Sequence, residues 1–217
     1  GAGQIEDYAN EERTCKMQDY DFGMQPWVQT YGNQIQSAMV CYGISSIGQN
    51  AFSKCTSLKS VIIPCSVASI GNYAFLECSS FTGYFIPKEV ASIGNNPFAG
   101  CGQLRRIEVA EGSNHFKVVD GVLFDKEMTR LISYTACAQT DYTIPNSVTS
   151  IGGYAFFQCN ALTSLSIPPS VASIECFAFN SCGGLDSVSI PTGLSYSSDV
   201  FPESAKITEY EPISFME

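Results

Sequence analysis

One phrase is written five times along this chain, with a period of 23 that is interrupted once between the third and fourth copies, and it limits the fold more than any other feature. Such self-similarity is typical of a solenoid, in which each turn buries its apolar side against its neighbours. The repeat therefore predicts a stack of similar turns around one continuous core. The five copies are Ile44-SSIGQNAFSKCTSLKSVII-Pro64, Val67-ASIGNYAFLECSSFTGYFI-Pro87, Val90-ASIGNNPFAGCGQLRRIEV-Ala110, Val148-TSIGGYAFFQCNALTSLSI-Pro168 and Val171-ASIECFAFNSCGGLDSVSI-Pro191.

Apolar residues recur at fixed positions of every copy, and these columns predict the rungs of the core. One column holds phenylalanine and another holds cysteine, with isoleucine and leucine columns beside them. The phenylalanine column is Phe52, Phe75, Phe98, Phe156 and Phe179, and the cysteine column is Cys55, Cys78, Cys101, Cys159 and Cys182.

The segment after each cysteine alternates between apolar and variable residues, which indicates a short strand. In the first copy we expect Val61 and Ile63 to face inward and Ser60 and Ile62 to face outward. Pro64 suits the end of the strand because proline cannot donate to a backbone ladder. Parallel strands about 4.8 Å apart would make seven turns into a rod about 35 Å long. The predicted fold class is thus a mainly β repeat solenoid with short irregular or helical turns.

The repeated phrase resembles that of the BspA-type leucine-rich repeats, whose wording is close to SVTSIGxxAFxxCxxLxSVxIP. The resemblance covers residues 36 to 212, and residues 111 to 147 are similar to a longer variant turn of that family. It implies a right-handed superhelix of parallel stacked strands that is secreted or exposed at a cell surface. The family is associated with adhesion to host proteins and to other cells. No catalytic residue is carried over, because the shared phrase consists of core positions.

The period divides the chain into a solenoid and two caps. We assign residues 36–193 to the solenoid, including the variant turn at 111–147, residues 1–35 to an N-terminal cap, and residues 194–217 to a C-terminal cap. Terminal turns of a solenoid must cover an open core edge, so they depart from the repeat. We expect the first segment, with Trp27, to fold over the first turn as an irregular or hairpin cap; the alternative is that Trp27 marks a binding site.

Charge and hydropathy exclude several classes of partner. The chain has 21 acidic against 11 basic residues and a net charge of −10, which opposes binding to nucleic acid or anionic lipid. No apolar run is long enough to cross a membrane, so we predict no membrane insertion. No signal peptide is recognisable, and the oligomeric state is left open.

Five of the ten cysteines occupy one repeat column, which favours buried free thiols over a disulfide framework. The spacing of Cys41 and Cys65 exceeds the period by a single position, so a disulfide across adjacent turns is open. The state of Cys15, Cys137 and Cys176 is open as well.

The sequence offers no convincing catalytic or metal-binding set, and we predict no cofactor. Zinc sites need close cysteine pairs, which are missing here. The single histidine, His115, lies in a turn-like stretch, and the alternative of a Cys–His nucleophilic pair needs Cys101 or Cys137 beside it. Asp120, Asp125 and Glu127 lie around a predicted hairpin and are expected to be turn residues rather than a glycosidase pair.

Outward strand positions are free to vary, and there we place the candidate ligand site. The first half of the face carries apolar and charged residues, whereas the second half carries serine. Aromatic and arginine side chains dominate interface energetics, which favours binding in the first half. The alternative is that Ile62 and Phe85 merely follow strand preference. The candidate residues are Lys59, Ile62, Phe85, Arg105, Arg106 and Glu108.

These observations favour a non-catalytic module that binds an extracellular protein or glycan through its strand face. A structural spacer or coat segment without a ligand is the alternative, favoured by the serine half and the acidity. An enzyme is the third possibility, and the sequence gives it no catalytic constellation.

Overall fold

The computed structural model describes residues 15–16, 26–135 and 139–212. The described chain has one short helix, α1, at Pro26–Tyr31, and is otherwise built from short strands joined by turns. The strands are β1 Cys15–Lys16, β2 Ser37–Met39, β3 Ile44–Ile47, β4 Ser60–Ile62, β5 Ser69–Ile70, β6 Gly83–Ile86, β7 Ser92–Ile93, β8 Arg106–Val109, β9 Phe116–Val119, β10 Val122–Asp125, β11 Arg130–Tyr134, β12 Asp141–Thr143, β13 Ser150–Ile151, β14 Ser164–Ser166, β15 Ser173–Ile174, β16 Ser187–Pro191 and β17 Lys206–Tyr210.

Each turn contributes two strands, which pair in parallel with the equivalent strands of adjacent turns. On one side of the stack the order is β1-β3-β5-β7, and it resumes as β11-β13-β15. The strands of the second side form the sheets β2-β4, β6-β8 and β12-β14-β16-β17. Pairing follows the sequence period, as Ile47 faces Ile70 and Ile70 faces Ile93. The predicted solenoid of about seven stacked turns is confirmed.

The loops around the phenylalanine column form a third ladder along the rod. Phe52 donates its backbone N–H to the carbonyl of Ala74 at 2.7 Å, and Lys54 donates to Leu76 at 2.8 Å. Lys54 has a φ of 63°, in the left-handed region that non-glycine residues rarely adopt. Because this conformation recurs at the same place in other turns, the inter-turn hydrogen bonds that it permits repeat as well. The same left-handed conformation occurs at Glu77, Gln158 and Ser181.

Stacked aromatic rings run through the core, as the phenylalanine column predicts. The ring centroids of Phe52 and Phe75 are 5.4 Å apart and those of Phe75 and Phe98 are 5.7 Å apart, with nearly parallel planes. In the second half, Phe156 and Phe179 are 4.6 Å apart. All five rings are buried. The rings thus pack against each other from turn to turn, at distances favourable for aromatic pairs.

Three cysteines of the column link neighbouring turns through their thiols. The Sγ of Cys78 donates to the Phe52 carbonyl at 3.1 Å, and the Sγ of Cys101 donates to the Phe75 carbonyl at 3.1 Å. Cys182 does the same to Phe156 at 2.9 Å. A thiol is small enough to fill this apolar position and satisfies a buried carbonyl of the preceding turn. The expectation of buried structural thiols is confirmed for Cys55, Cys78, Cys101 and Cys182.

Cys159 corrects the expectation that all five column cysteines are free, because it is disulfide-bonded. Its Sγ lies 4.0 Å from the Tyr134 carbonyl, where the other turns have the thiol hydrogen bond, but a disulfide sulfur has no proton to donate. The repeat phrase alone does not distinguish this cysteine from its column.

Cys41 and Cys65 are not joined by a disulfide, and Cys176 is a free, exposed thiol. Cys137 and the side chain of Cys15 lie outside the described residues.

The variant turn is a three-stranded antiparallel meander inserted between the two halves of the rod. Strand β10 pairs with β9 on one side and with β11 on the other, and β11 continues into the parallel stack by pairing with β13. The hairpin predicted around Asp125 and Glu127 is the β10–β11 connection. The β9–β10 connection is a tight turn at Asp120 and Gly121, both with positive φ, as such short hairpin loops require.

Both faces of β10 and β11 are buried, one against each half of the solenoid. Leu123 and Ile132 pack into the core of the first half. Phe124 and Leu131 pack into the core of the second half. Because successive residues of a strand point to opposite faces, one strand serves two cores. The insertion therefore joins two separate cores.

Tyr134 opens the second aromatic stack. Its ring lies 4.8 Å from that of Phe156, and its N–H donates to the Ala155 carbonyl at 2.8 Å. Phe52 makes the same two contacts with the next turn through Phe75 and Ala74. Tyr134 thus occupies the phenylalanine position of a turn that does not carry the repeat phrase.

Aromatic residues also lie at the outer ends of the two stacks, one at each end of the rod. Trp27, on helix α1, has its ring 6.4 Å from that of Phe52 and packs against the first core. Phe201 stacks on Phe179 at 5.1 Å, and β17 pairs with β16. A helix stands where the sequence predicts an irregular or hairpin cap. The remainder of residues 1–25 lies outside the described parts apart from β1, and the cap boundaries at 35 and 194 remain predictions.

Candidate functional site

Three large apolar side chains lie on the outward face of successive strands in the first half of the rod. Met39, Ile62 and Phe85 are 55%, 64% and 56% exposed. Met39 faces Ile62 across the β2–β4 pair, and Phe85 holds the same position in β6, one period further on. We call these three residues the apolar stripe. Their alignment follows from strand geometry, since every second residue points outward and the turns are in register.

Charged side chains end the apolar stripe. Phe85 faces Glu108 across the β6–β8 pair, and Glu108 accepts a hydrogen bond from the Arg106 guanidinium at 2.5 Å. Both groups are well exposed, so this ion pair contributes little to stability. Lys59 and Arg105 are exposed at equivalent positions, just before β4 and β8. The structure therefore places all six candidate residues on the exposed surface, with Glu108 next to both Phe85 and Arg106.

Met39 is a residue of this face that the sequence pattern did not single out. It lies one full period before Ile62, so extending the outward column by one turn would have found it. The turn that contains it lacks the repeat phrase, which hid the column.

A cleft of about 530 Å³ adjoins the end of the apolar stripe. Phe85 and Glu108 line it on the side of the strand face, and Phe116 and Lys117 line it from β9. Lys126 also borders the cleft and donates to the Ser113 carbonyl at 2.7 Å. The meander creates this cleft by displacing the next regular turn, and its geometry could not be read from the repeat.

The second half of the strand face carries short hydroxyl side chains. Ser166 faces Thr143 on one side and Ser189 on the other, and Ser189 faces Thr208. The hydroxyls of Ser189 and Thr208 are 3.3 Å apart and hydrogen-bonded. This half therefore offers a regular polar surface without large apolar side chains.

A cluster of polar side chains joins the two halves by hydrogen bonds on the other side of the rod. The Arg130 guanidinium donates to Asn95 at 2.7 Å and to Glu175 at 3.0 Å. The Asn96 amide donates to the Tyr154 carbonyl at 2.6 Å. These hydrogen bonds satisfy groups on turns that are far apart in sequence. The cluster therefore has a structural role, which is to hold the two halves together.

The candidate catalytic groups have structural roles or are exposed. The Asp125 carboxylate accepts from the Thr129 N–H at 2.7 Å and from the Arg130 N–H at 2.8 Å, which fixes the β10–β11 turn. His115 and Asp120 are exposed. Among the described residues, no group of three His, Cys, Asp or Glu side chains could hold a metal ion. The one helix within the described ranges is too short to cross a membrane.

Burial also makes the column thiols poor nucleophiles. Desolvation raises the pKa of Cys55 from its ordinary value of 9.0 to about 12 and that of Cys182 to about 11. The pKa of Cys78 is raised in the same direction, again chiefly by burial. The reactive form of cysteine is the thiolate, so these side chains are unreactive at neutral pH.

The stacked turns and their buried phenylalanine and cysteine columns agree with one sequence family. The family model for the BspA type leucine rich repeat region, in six copies, matches residues 30–125 and 130–214. The chain belongs to the BspA-type leucine-rich repeat family. The gap between the matches lies at the β10–β11 turn of the meander.

Solved structures of bacterial proteins share the fold of this chain. A leucine-rich repeat protein from Eubacterium ventriosum is 23% identical, with 83% of this chain covered and a TM-score of 0.50. The pneumococcal vaccine antigen PcpA is 20% identical, with 81% covered and a TM-score of 0.55. A leucine rich cell surface protein from Faecalibacterium prausnitzii is 25% identical, with 82% covered and a TM-score of 0.56. The chain spans 66%, 63% and 60% of these three proteins, less than two thirds of each.

No curated protein matches the chain. The BspA-type phrase specifies core positions, such as the phenylalanine and cysteine columns. Individual properties of the protein must therefore come from the residues outside the phrase, above all the apolar stripe and the cleft beside it.

Proposed function

We propose that this chain is a non-catalytic recognition module of a cell-surface or secreted protein, and that it binds an extracellular protein or glycan through the first half of its strand face. The observation that carries the proposal is the apolar stripe, in which three large exposed side chains are aligned on successive strands. Its BspA-type family, and solved relatives described as a cell surface protein and a vaccine antigen, support the location.

The composition of the stripe favours binding over simple strand preference. Isoleucine and phenylalanine are enriched in strands for packing reasons alone, so Ile62 and Phe85 by themselves decide little. Methionine has no such preference, and its flexible thioether is common at adaptable binding surfaces. An exposed Met39 in register with both residues is therefore better explained by a contact surface. Contiguous apolar patches rimmed by polar residues mark interaction sites.

Charged residues around the stripe give it a polar rim. Lys59, Arg105 and Arg106 are exposed on a chain whose net charge is −10, so they form a local basic border on an acidic protein. Rim charges steer a partner and fix its orientation more than they add affinity. The strongly acidic remainder disfavours nucleic acid and anionic lipid as partners.

The proposal is tested by surface plasmon resonance against extracellular matrix proteins, mucins and glycans. The wild type is compared with the double variant Phe85→Ala/Arg106→Ala. The matched control is Ser166→Ala/Lys206→Ala, which changes one small and one charged residue in the second half of the same face. We expect a ligand whose binding is lost in the first variant and kept in the second. Binding that neither variant weakens would place the site elsewhere.

The alternative function is a structural spacer without a ligand of its own. The ladder of hydroxyl side chains from Thr143 to Thr208 favours it, because such a surface has no anchor residue. Failure of the wild type to bind any member of the panel would favour the spacer over the recognition module.

A further inference from the structure

The strand face is interrupted after β8, and the interruption exposes the edge of that strand. β8 pairs with β6 on one side, and no described strand pairs with its other side. The following strand of the chain, β9, pairs with β10 and not with β8. In the second half of the rod the next strand fills this position at β12, β14 and β16, and in the first half it does so at β2 and β6. β8 therefore ends a sheet in the middle of the rod.

The backbone groups at this edge are those that pair between turns elsewhere. Val40 donates its N–H to the Ile62 carbonyl at 2.9 Å, and Ile167 donates to the Ser189 carbonyl at 2.8 Å. Val109 is the equivalent residue of the β8 turn, three periods after Val40. Its N–H is directed to the side where the next turn is missing. An unpaired edge of this kind is a template for a further strand.

The cleft lies along this edge. Ile107, Glu108 and Val109 of β8 form one wall, and Phe116 and Lys117 of β9 form the other. β9 has its own edge toward the cleft, since β10 is its single described strand partner. Ile107 and Phe116 are 5% and 6% exposed and provide an apolar floor. The volume of about 530 Å³ falls within the range of established ligand sites, about 300 to 1,000 Å³.

Lys117 adds a charge preference to the cleft. Its side chain is half-buried, and neither ion pair among the described residues includes it. A partly desolvated ammonium group gains more from a carboxylate than an exposed one does. Of the other charged residues that line the cleft, Glu108 is paired with Arg106, Lys126 is bonded to the Ser113 carbonyl, and Glu111 is exposed after β8. The β9 wall, where Lys117 lies, therefore favours an acidic group on the ligand.

We propose that the cleft between β8 and β9 binds an extended segment of a partner protein, which adds to the edge of β8 as a strand and places an acidic side chain against Lys117. Backbone pairing would supply affinity, and the Ile107–Phe116 floor would select an apolar side chain next to the acidic one, as in other complexes formed by strand addition.

The proposal rests on the function proposed above and names the kind of partner. Phe85 belongs both to the apolar stripe and to the cleft wall, so the two surfaces are continuous. A protein ligand on the stripe could thus extend a segment into the cleft. This continuity favours a polypeptide over a glycan as the ligand.

A phage-displayed library of linear octapeptides, panned on the wild-type protein, tests the proposal. We expect enrichment of peptides with an acidic residue beside β-branched or aromatic residues. For a synthetic enriched peptide, Lys117→Glu should weaken binding about tenfold or more, because it places like charges together. The matched control Lys206→Glu, on the strand face at β17, should leave binding within about twofold. Two N-methylated forms of the peptide should differ in binding, each methylated at every second nitrogen. The form methylated at the nitrogens that face β8 should not bind, and the form methylated at the other nitrogens should bind.

Amide hydrogen exchange gives an independent readout at the strand edge. The Val109 amide should exchange rapidly in the free protein and slowly with the peptide bound. Protection of Val109 before peptide is added would mean that the edge is already covered by this chain or a second copy, and would overturn the proposal. So would a lack of enriched peptides, or binding that survives both Lys117→Glu and each pattern of N-methylation. If the stripe variant Phe85→Ala/Arg106→Ala still loses its ligand in that case, the proposed function stands and the strand-addition site alone is wrong.

Discussion

The ring of Tyr134 stacks on the ring of Phe156 with 4.8 Å between their centroids, and the Tyr134 N–H donates to the Ala155 carbonyl. A tyrosine outside the repeat phrase thus takes the place of the column phenylalanine. It belongs to the second core and is the last residue of β11, the same strand whose Ile132 belongs to the first core. The continuity of the rod depends on this strand, which packs on both halves.

Tyr134→Ala should destabilise the protein by about 3–5 kcal/mol, as expected for removal of a buried aromatic ring. Tyr134→Phe should cost less than about 1.5 kcal/mol, because the stacked ring remains and the lost hydrogen bond to Gln139, at 3.4 Å, is long. Urea unfolding of both variants measures these differences. Equal losses would show that the hydroxyl, rather than the stacked ring, holds the position.

Phe75→Ala should also cost about 3–5 kcal/mol, since Phe75 is fully buried between Phe52 and Phe98. Phe85→Ala is the control in the same turn, with a side chain that is 56% exposed, and should change stability by about 0.5 kcal/mol or less. The unfolding midpoints of the two variants give the comparison. A small effect of Phe75→Ala would mean that the aromatic column is not a packed spine.

Most of the fold could be predicted because the repeat phrase records what each turn buries. The columns that include Phe75 and Cys78 identify the rungs, and alternation around Val61 identifies the strands. Tyr134 could not be assigned in this way, because its distance along the chain from Phe98 is not a multiple of the period. Where an insertion changes the spacing, periodicity no longer tells which aromatic residue continues the stack. The disulfide of Cys159 was missed for a related reason, since a column records position and not bonding.

The thiols should divide into two classes by accessibility. In the native protein at pH 8, Cys65 and Cys176 should react with a thiol reagent within minutes, because both are exposed and free. Cys55, Cys78, Cys101 and Cys182 should react only after denaturation, since they are buried in the core. Cys159 should require reduction as well. Mass spectrometry of labelled peptides reads out each site, and rapid native labelling of the buried column would contradict the packing described.

Stability should fall as the pH rises above about 9. Burial raises the pKa of Cys55 from 9.0 to about 12, that of Cys182 from 9.0 to about 11 and that of Tyr134 from 10.0 to about 12. Between the ordinary and the raised values the unfolded chain loses protons that the folded chain keeps, so alkali favours unfolding. Below pH 9 this contribution is fully present.

Urea unfolding between pH 7.5 and 10.5 measures this dependence. The double variant Cys55→Ala/Cys182→Ala should show a shallower decrease than the wild type, because two of the responsible groups are gone. A wild-type free energy of unfolding that stays constant over this range would contradict the burial of these groups.

The candidate site was only partly accessible to sequence reasoning. Outward positions such as Ile62 and Phe85 follow from alternation, and the structure exposes them on one face. The cleft depends on how the meander displaces a turn, and Lys117 gains its importance only from that displacement. Insertions create local geometry that a repeat phrase does not encode.

The most direct measurement of the central claim is the affinity of the chain for the ligand found in the panel, before and after the apolar stripe is made polar. The variant Met39→Ser/Ile62→Ser changes two exposed side chains and should keep the wild-type unfolding midpoint. The account predicts that its Kd rises at least about tenfold, as expected when interface anchors are removed. An unchanged Kd in this folded variant would contradict recognition through the apolar stripe.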